Sequence, residues 1–213
     1  MRNVMCFGDS NTHGTPALQH PLDIRRFDRT TRWPGQMAAA LGPDWHVIEE
    51  GLPSRTTVHD DPVEGLHKNG VRVLPALLDT HRPLDLVIVM LGTNDLKMRY
   101  NVPAIDIAIS AEQLIRTIHS SIAGPDLAPP KALLVAPVPI EETGFLGEMF
   151  AGGAVKSQAL AGYFQTIAER HGVGFLDAGT VADVDPVDGI HLTEDGHAAL
   201  GRAIADKVNE MFG

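Results

Sequence analysis

The stretch LDLVIVMLGTND, residues 84–95, decides how this chain is read. From Leu84 to Leu91 it is apolar except at Asp85, β-branched at Val87, Ile88 and Val89, and stopped by Gly92. A strand with one wet face alternates apolar and polar residues. A nearly continuous apolar strand is buried on both faces, as in a parallel sheet covered by helices. Four further runs follow the same plan. Val4-Met5-Cys6-Phe7 is closed by Gly8-Asp9, and His46-Val47-Ile48-Glu49 is weaker. Ala132 to Ala136 stops at Pro137, and Val173 to Asp177 is the fifth.

Helical periodicity fills the intervals. Apolar residues recur at spacings of three and four in 33–41, 70–81, 105–122 and 154–171. A last helix is expected over 193–212, with Thr193 as its N-cap. Strand and helix alternate from end to end. This predicts an α/β fold, a three-layer α/β/α sandwich on a five-stranded parallel sheet with right-handed crossovers. No repeat, low-complexity tract or linker interrupts residues 1–213, so one domain is expected. Two connections are longer than linkage requires: Thr15 to Thr31, and Pro137 to Gly153 with its apolar Phe145, Leu146, Met149 and Phe150. Long loops in compact domains are commonly functional or interfacial.

Composition narrows the function classes. Seventeen basic and 27 acidic residues leave a formal charge of −10, which argues against nucleic acid or an anionic membrane as partner. The one cysteine, Cys6, excludes an internal disulfide and is expected in the core. No run approaches the ~20 apolar residues of a membrane span. The apolar run at 4–7 is too short for the centre of a signal peptide. A soluble, cytoplasmic protein is expected.

In open parallel sheets, sites form at the carboxyl ends of the strands. Ser10 follows the first strand, Gly51-Leu52-Pro53-Ser54 the second and Gly92-Thr93-Asn94-Asp95 the third. Asp188-Gly189-Ile190-His191 precedes the last helix. Together these complete one chemistry. A serine hydroxyl becomes a nucleophile when a base takes its proton. His191 is the candidate base, and Asp188 the acid that fixes its tautomer across a turn at Gly189. A developing oxyanion needs donors, available from the backbone N–H groups of Ser10 and Ser54 and the side-chain amide of Asn94. Pro137, Val138 and Ile140, after the fourth strand, are expected to line the acyl pocket.

Gly8-Asp9-Ser10, Gly92-Thr93-Asn94-Asp95 and Asp188-Gly189-Ile190-His191 resemble the blocks of SGNH (GDSL-type) hydrolases. "CFGDSNTHG", "VIEEGLPSRTT", "DLVIVMLGTNDLK" and "DGIHLT" are most similar to the bacterial arylesterase/acyltransferase group. The resemblance implies a flavodoxin-like sheet, serine esterase chemistry on small aryl or short-chain esters, and no cofactor or metal. It also implies acyl transfer to alcohols or peroxide in some members, and homo-oligomers, tetrameric or octameric. The chain departs from the pattern in its second block, Glu49-x-Gly51-x-x-Ser54-x-x-Thr57, where Ser54 replaces a glycine and Glu49 an asparagine. His13 and Thr15 stand where close members tend to carry tryptophans, which implies a more open or more polar substrate pocket.

Two rival readings are weaker. A metallophosphoesterase-like hydrolase would use Asp9, His13, Asn94 and His191 as ligands, but two-metal sites need more converging His and Asp. A non-catalytic flavodoxin-like binding module lacks a phosphate-cradling glycine pattern. Asp9 and Asp95 are expected to brace loops, His59-Asp60-Asp61 to be a solvated loop, and Arg55 and Lys97 to be solvated charges.

Overall fold

The computed structural model describes residues 1–213. Five strands form one wholly parallel sheet: Arg2–Gly8 (β1), Trp45–Gly51 (β2), Leu86–Met90 (β3), Lys131–Ala136 (β4) and Gly174–Asp177 (β5). Their spatial order is β2-β1-β3-β4-β5, the flavodoxin-like order. Six α-helices accompany them: Ser10–His13 (α1), Trp33–Leu41 (α2), Gly70–His81 (α3), Ala104–His119 (α4), Gly153–His171 (α5) and Glu194–Phe212 (α6). The short α1 has no counterpart in the periodicity, because four residues are too few to display a repeat. It is made by its cap: the Asp9 Oδ1 accepts from the Asn11 N–H at 3.0 Å. Thr193 caps α6 as expected, accepting from the Gly196 N–H at 3.0 Å.

The alternation of side chains along each strand builds two cores. Val4, Cys6, Leu86, Ile88, Leu133 and Val135 face Trp33 and Met37 of α2 and Leu200, Ile204 and Val208 of α6. Met5, Phe7, Val87, Val89 and Leu134 face the other way, onto Leu74 and Leu78 of α3, Ile107 and Leu114 of α4, and Leu160 and Phe164 of α5. Cys6 is fully buried, and burial pushes its thiol pKa well up, with Glu49 adding to the shift. It packs as a small apolar side chain rather than as a reactive thiolate. No helix is long and apolar enough to cross a membrane.

β1 is paired on both sides, with Gly8 level with Gly51 of β2 and Met90 of β3. The chain order reverses across β1 and β3, which opens a crevice above their carboxyl ends. Three of the segments singled out in the sequence leave the sheet there.

The strand ends and the α1 turn are in close contact. A Cβ at Gly51 would lie 2.2 Å from the backbone nitrogen of His13, so only glycine fits between them. Gly51→Ala should lower the unfolding free energy by about 1–3 kcal/mol through overpacking. Gly162 is the contrasting case, exposed in the middle of α5 with nothing within 4 Å of an added Cβ. Gly162→Ala should raise stability by about 0.5–1 kcal/mol. Urea unfolding of both variants beside wild type tests the pair, and a Gly51→Ala protein as stable as wild type would contradict the close approach.

Candidate active site

The segment between β5 and α6 folds into a tight loop. The Gly189 N–H donates to the Asp185 carbonyl at 2.8 Å, and the Asp185 N–H donates to the His191 carbonyl at 2.7 Å. Gly189 has φ +70°, and a Cβ on it would meet the Glu141 carbonyl oxygen at 2.2 Å, so the turn requires glycine. The loop turns the Asp188 carboxylate back on its own backbone. Oδ1 accepts from the N–H groups of Ile190 and His191, each at 3.0 Å. Oδ2 accepts from the Leu18 N–H at 2.7 Å and meets His191 Nδ1 at 2.6 Å. Burial alone would raise the Asp188 pKa, but the bond and charge of His191 and these backbone donors hold it below its ordinary value. Asp188 is therefore a carboxylate, and it assigns the proton on His191 to Nδ1. Nε2 is left as the free, basic nitrogen.

Ser10 is the first residue of α1, directly after β1. Its hydroxyl lies on the same cavity as His191 but makes no hydrogen bond to it or to any other group in the chain. Nor does its N–H have an internal acceptor. Ser54 holds a left-handed conformation, φ +65°, and its N–H is likewise unpartnered. That backbone geometry explains why glycine suits the position, and Ser54 adopts it nonetheless. The Asn94 Nδ2 donates to the Arg55 carbonyl at 3.2 Å and lies 3.4 Å from the Asp9 Oδ2. All three donor-bearing residues line the cavity.

The cavity has a volume of about 500 Å³. Ser10, Asn94 and His191 line it, together with His13 at the end of α1 and Thr15, Leu18 and Ile24 of the long loop that follows. Phe145, Leu146, Met149 and Phe150, from the second long loop, add an apolar wall. His13 and Thr15 thus line it as expected, and are joined through His13 Nδ1 and Thr15 Oγ1 at 3.1 Å. Burial, with Arg26 and Arg32 nearby, lowers the His13 pKa to about 4, so His13 itself is neutral at pH 7. Pro137, Val138 and Ile140 do not line it, which corrects the topological expectation. Val138 packs on the α2/α6 side, and Ile140 is drawn into the opposite core by the bond from its N–H to Ser157 Oγ at 3.0 Å. Phe145 and Met149 take the wall instead. Sequence proximity to the fourth strand is the wrong guide here, because Val138 and Ile140 pack into the two cores.

The charged residues also differ from expectation. Arg55 and Lys97 are buried rather than solvated. Arg55 Nη1 donates to the carbonyls of Gly8 and Glu50, while the guanidinium lies 4.3 Å from the Phe7 ring centroid. Lys97 donates to Glu64 at 3.2 Å on the cavity wall. Of His59-Asp60-Asp61, Asp60 is exposed as expected of a solvated loop, whereas His59 is half-buried and Asp61 buried, and all three are paired. His59 pairs with Asp95 at 2.7 Å, Asp60 with Arg72 at 2.7 Å, and buried Asp61 with Arg99 at 3.0 Å. Asp95 also accepts from the Thr57 hydroxyl at 2.6 Å, joining the second and third segments. Glu49 pairs with Arg32, and with Arg29 at 3.3 Å, which anchors the first long loop to β2. Burial raises the Asp9 pKa to about 6, opposed by the Asn11 N–H, His191 and Arg55. No group of three or more His, Cys, Asp or Glu side chains is arranged to hold a metal ion.

The chain is also similar to known proteins. The family described as GDSL-like lipase/acylhydrolase matches residues 6–199. The structure of Est24, a carbohydrate acetylesterase from Sinorhizobium meliloti, is 41% identical with a TM-score of 0.94, covering 100% of both chains. The aryl esterase of M. smegmatis is 40% identical with a TM-score of 0.93, covering 99% of each chain. An acetylxylan esterase of Xylanibacter ruminicola is 26% identical over 218 residues, 95% of this chain. The chain spans only 42% of the length of that curated relative. On the match over residues 6–199, the chain belongs to the GDSL-like lipase/acylhydrolase family of ester-hydrolysing enzymes.

Proposed function

We propose that the chain is a serine esterase that hydrolyses small carboxylic esters, with aryl or short-chain acyl groups, through an acyl-enzyme on Ser10. The observation that carries this reading is the buried Asp188–His191 pair at 2.6 Å, which leaves Nε2 free on the cavity that holds Ser10. In the first step the Ser10 Oγ attacks the ester carbonyl carbon while His191 Nε2 takes its proton. The oxyanion is met by the N–H groups of Ser10 and Ser54 and by Asn94 Nδ2. Collapse expels the alcohol, which receives the proton from His191. Water, activated by the same nitrogen, then releases the acid. An alcohol or a peroxide in place of that water would make the second step acyl transfer. The Ser10–His191 hydrogen bond belongs to the substrate complex, in which catalytic hydrogen bonds tighten.

The cavity supports the substrate class. Its apolar wall suits an aryl or short acyl group, and the carbohydrate acetylesterase and aryl esterase neighbours act on esters of these kinds by their names. Glu64 and Lys97, which also line the cavity, pair with each other and present hydrogen-bonding groups to a hydroxylated leaving group. Homo-oligomerisation, as a tetramer or octamer, belongs to the same proposal. Ile24, 93% exposed, stands with half-exposed Phe145 and Met149 around the cavity mouth. Light scattering at micromolar concentration giving a monomeric mass would remove the oligomer.

Mixing with p-nitrophenyl acetate and reading intact mass during turnover tests the chemistry. Wild type should carry an acetyl adduct and Ser10→Ala none, with activity at background. Asn94→Ala should lower kcat by about 10²–10³-fold, the usual effect of losing one oxyanion donor. Equal turnover by Ser10→Ala and wild type would refute the reading.

Asp9 supplies a test by pH. Its folded pKa, about 6, lies above its ordinary 3.8, so the folded state takes up this proton before the unfolded state does. Its protonation therefore adds stability as pH falls through about 6 towards 4, and that stability is lost as pH rises. Asp9→Asn removes it and keeps an acceptor for the Asn11 N–H. From pH 8 to pH 4 wild type should gain about 2–3 kcal/mol relative to Asp9→Asn in urea unfolding. A constant gap across that range would show that Asp9 titrates normally.

A further inference from the structure

We infer that Asn11 is a positioning residue that sets the base against the nucleophile. The inference rests on the reading of His191 as the base of Ser10. Asn11 follows Ser10 directly and is almost completely buried. Its side chain reaches 179 residues along the chain, where Nδ2 donates to the Ile190 carbonyl at 3.1 Å. Its Oδ1 accepts from the Leu192 N–H at 3.0 Å. These two backbone groups belong to the residues on either side of His191. One side chain thus grips the main chain before and after the histidine.

A primary amide is suited to this task. It offers one donor and one acceptor in a single plane, matching a carbonyl and an N–H that flank one residue. Leucine would keep the approximate shape and orphan both backbone groups. Aspartate would keep the acceptor for Leu192 and set a second oxygen against the Ile190 carbonyl. The base of the grip is itself held, because the Asn11 N–H is bound by Asp9 Oδ1 at 3.0 Å. His191 is therefore defined from two directions. Asp188 holds its ring, at 2.6 Å, and Asn11 holds its backbone. Because Asn11 is the covalent neighbour of Ser10, the distance between nucleophile and base passes through one residue. Asn11 lies outside the residues lining the cavity, so its effect must act through His191.

The consequence is a change in kcat with little change in KM. A displacement of about 1 Å at a reacting group can cost about 10²-fold in rate, while the substrate walls stay in place. The experiment uses Asn11→Ala and Asn11→Asp with p-nitrophenyl acetate, at a temperature where each is folded by circular dichroism. Both should lose about 10–100-fold in kcat and stay within about threefold of wild type in KM. Wild type should show a sharp far-downfield proton resonance for His191 Nδ1–H, which should broaden in both variants as the Asp188 bond loosens. Asn11→Asp adds a pH readout. Once protonated, its carboxyl again offers one donor and one acceptor, so its activity relative to wild type should rise as pH falls. If Asn11→Ala does not fold, Asn11→Asp decides alone. Folded variants with wild-type kcat and a sharp resonance would overturn the inference, and leave Asn11 as a residue that merely satisfies buried backbone groups. A wild type that forms no acetyl adduct would instead remove the esterase reading beneath it.

Discussion

The buried carboxylate of Asp188 is the group on which the site depends. A charge with no exposure is tolerable only when its lone pairs are filled, and Asp188 fills them with three backbone N–H groups and one imidazole. Each donor comes at a structural price to the chain around it. Ile190 and His191 must turn back on the aspartate, which needs left-handed Gly189. Leu18 must bring the first long loop across the cavity to donate from 170 residues away. The orientation of the base and the placement of the substrate wall are thus two effects of one desolvated charge.

The sheet supplies the frame for that charge. β1 is paired on both sides and delivers Ser10 at its carboxyl end, while β2 and β3 deliver the segments of Ser54 and Asn94 alongside. Asp95 then ties the second segment to the third through Thr57 and His59. Buried Arg55 closes the underside by donating to the Gly8 and Glu50 carbonyls. Donors that must meet a transient negative charge are most effective when already fixed, since no reorganisation is then needed during reaction. The bonding beneath Ser10, Ser54 and Asn94 provides such fixing from ordinary loop interactions.

Much of this was legible beforehand, and the reasons are local. Continuous apolar runs such as 84–91 identify buried parallel strands, because burial on both faces removes alternation. Glycine before Ser10 and between Asp188 and Ile190 marks turns with little room for other residues. Illegible features depend on distant partners. Arg55 and Lys97 look like surface charges until Gly8, Glu50 and Glu64 appear beside them. His59 and Asp61 look solvated until Asp95 and Arg99 are in place. The wall residues failed for the same reason: Phe145 and Met149 return to the cavity from a loop, while Val138 and Ile140, nearer in sequence to a strand end, turn into the cores.

By itself the sequence determined the fold class, the approximate position of each strand and of every helix except α1, and the residue types able to perform acyl chemistry. These follow from periodicity, turn chemistry and side-chain functional groups, all properties of neighbouring residues. Only the tertiary structure decided which long loops enclose the cavity, which charges are buried, and how Asn11 meets the backbone on both sides of His191. Those depend on contacts between segments far apart in the chain. Their energies come from mutual desolvation and hydrogen-bond geometry, which exist only once the sheet has brought the segments together.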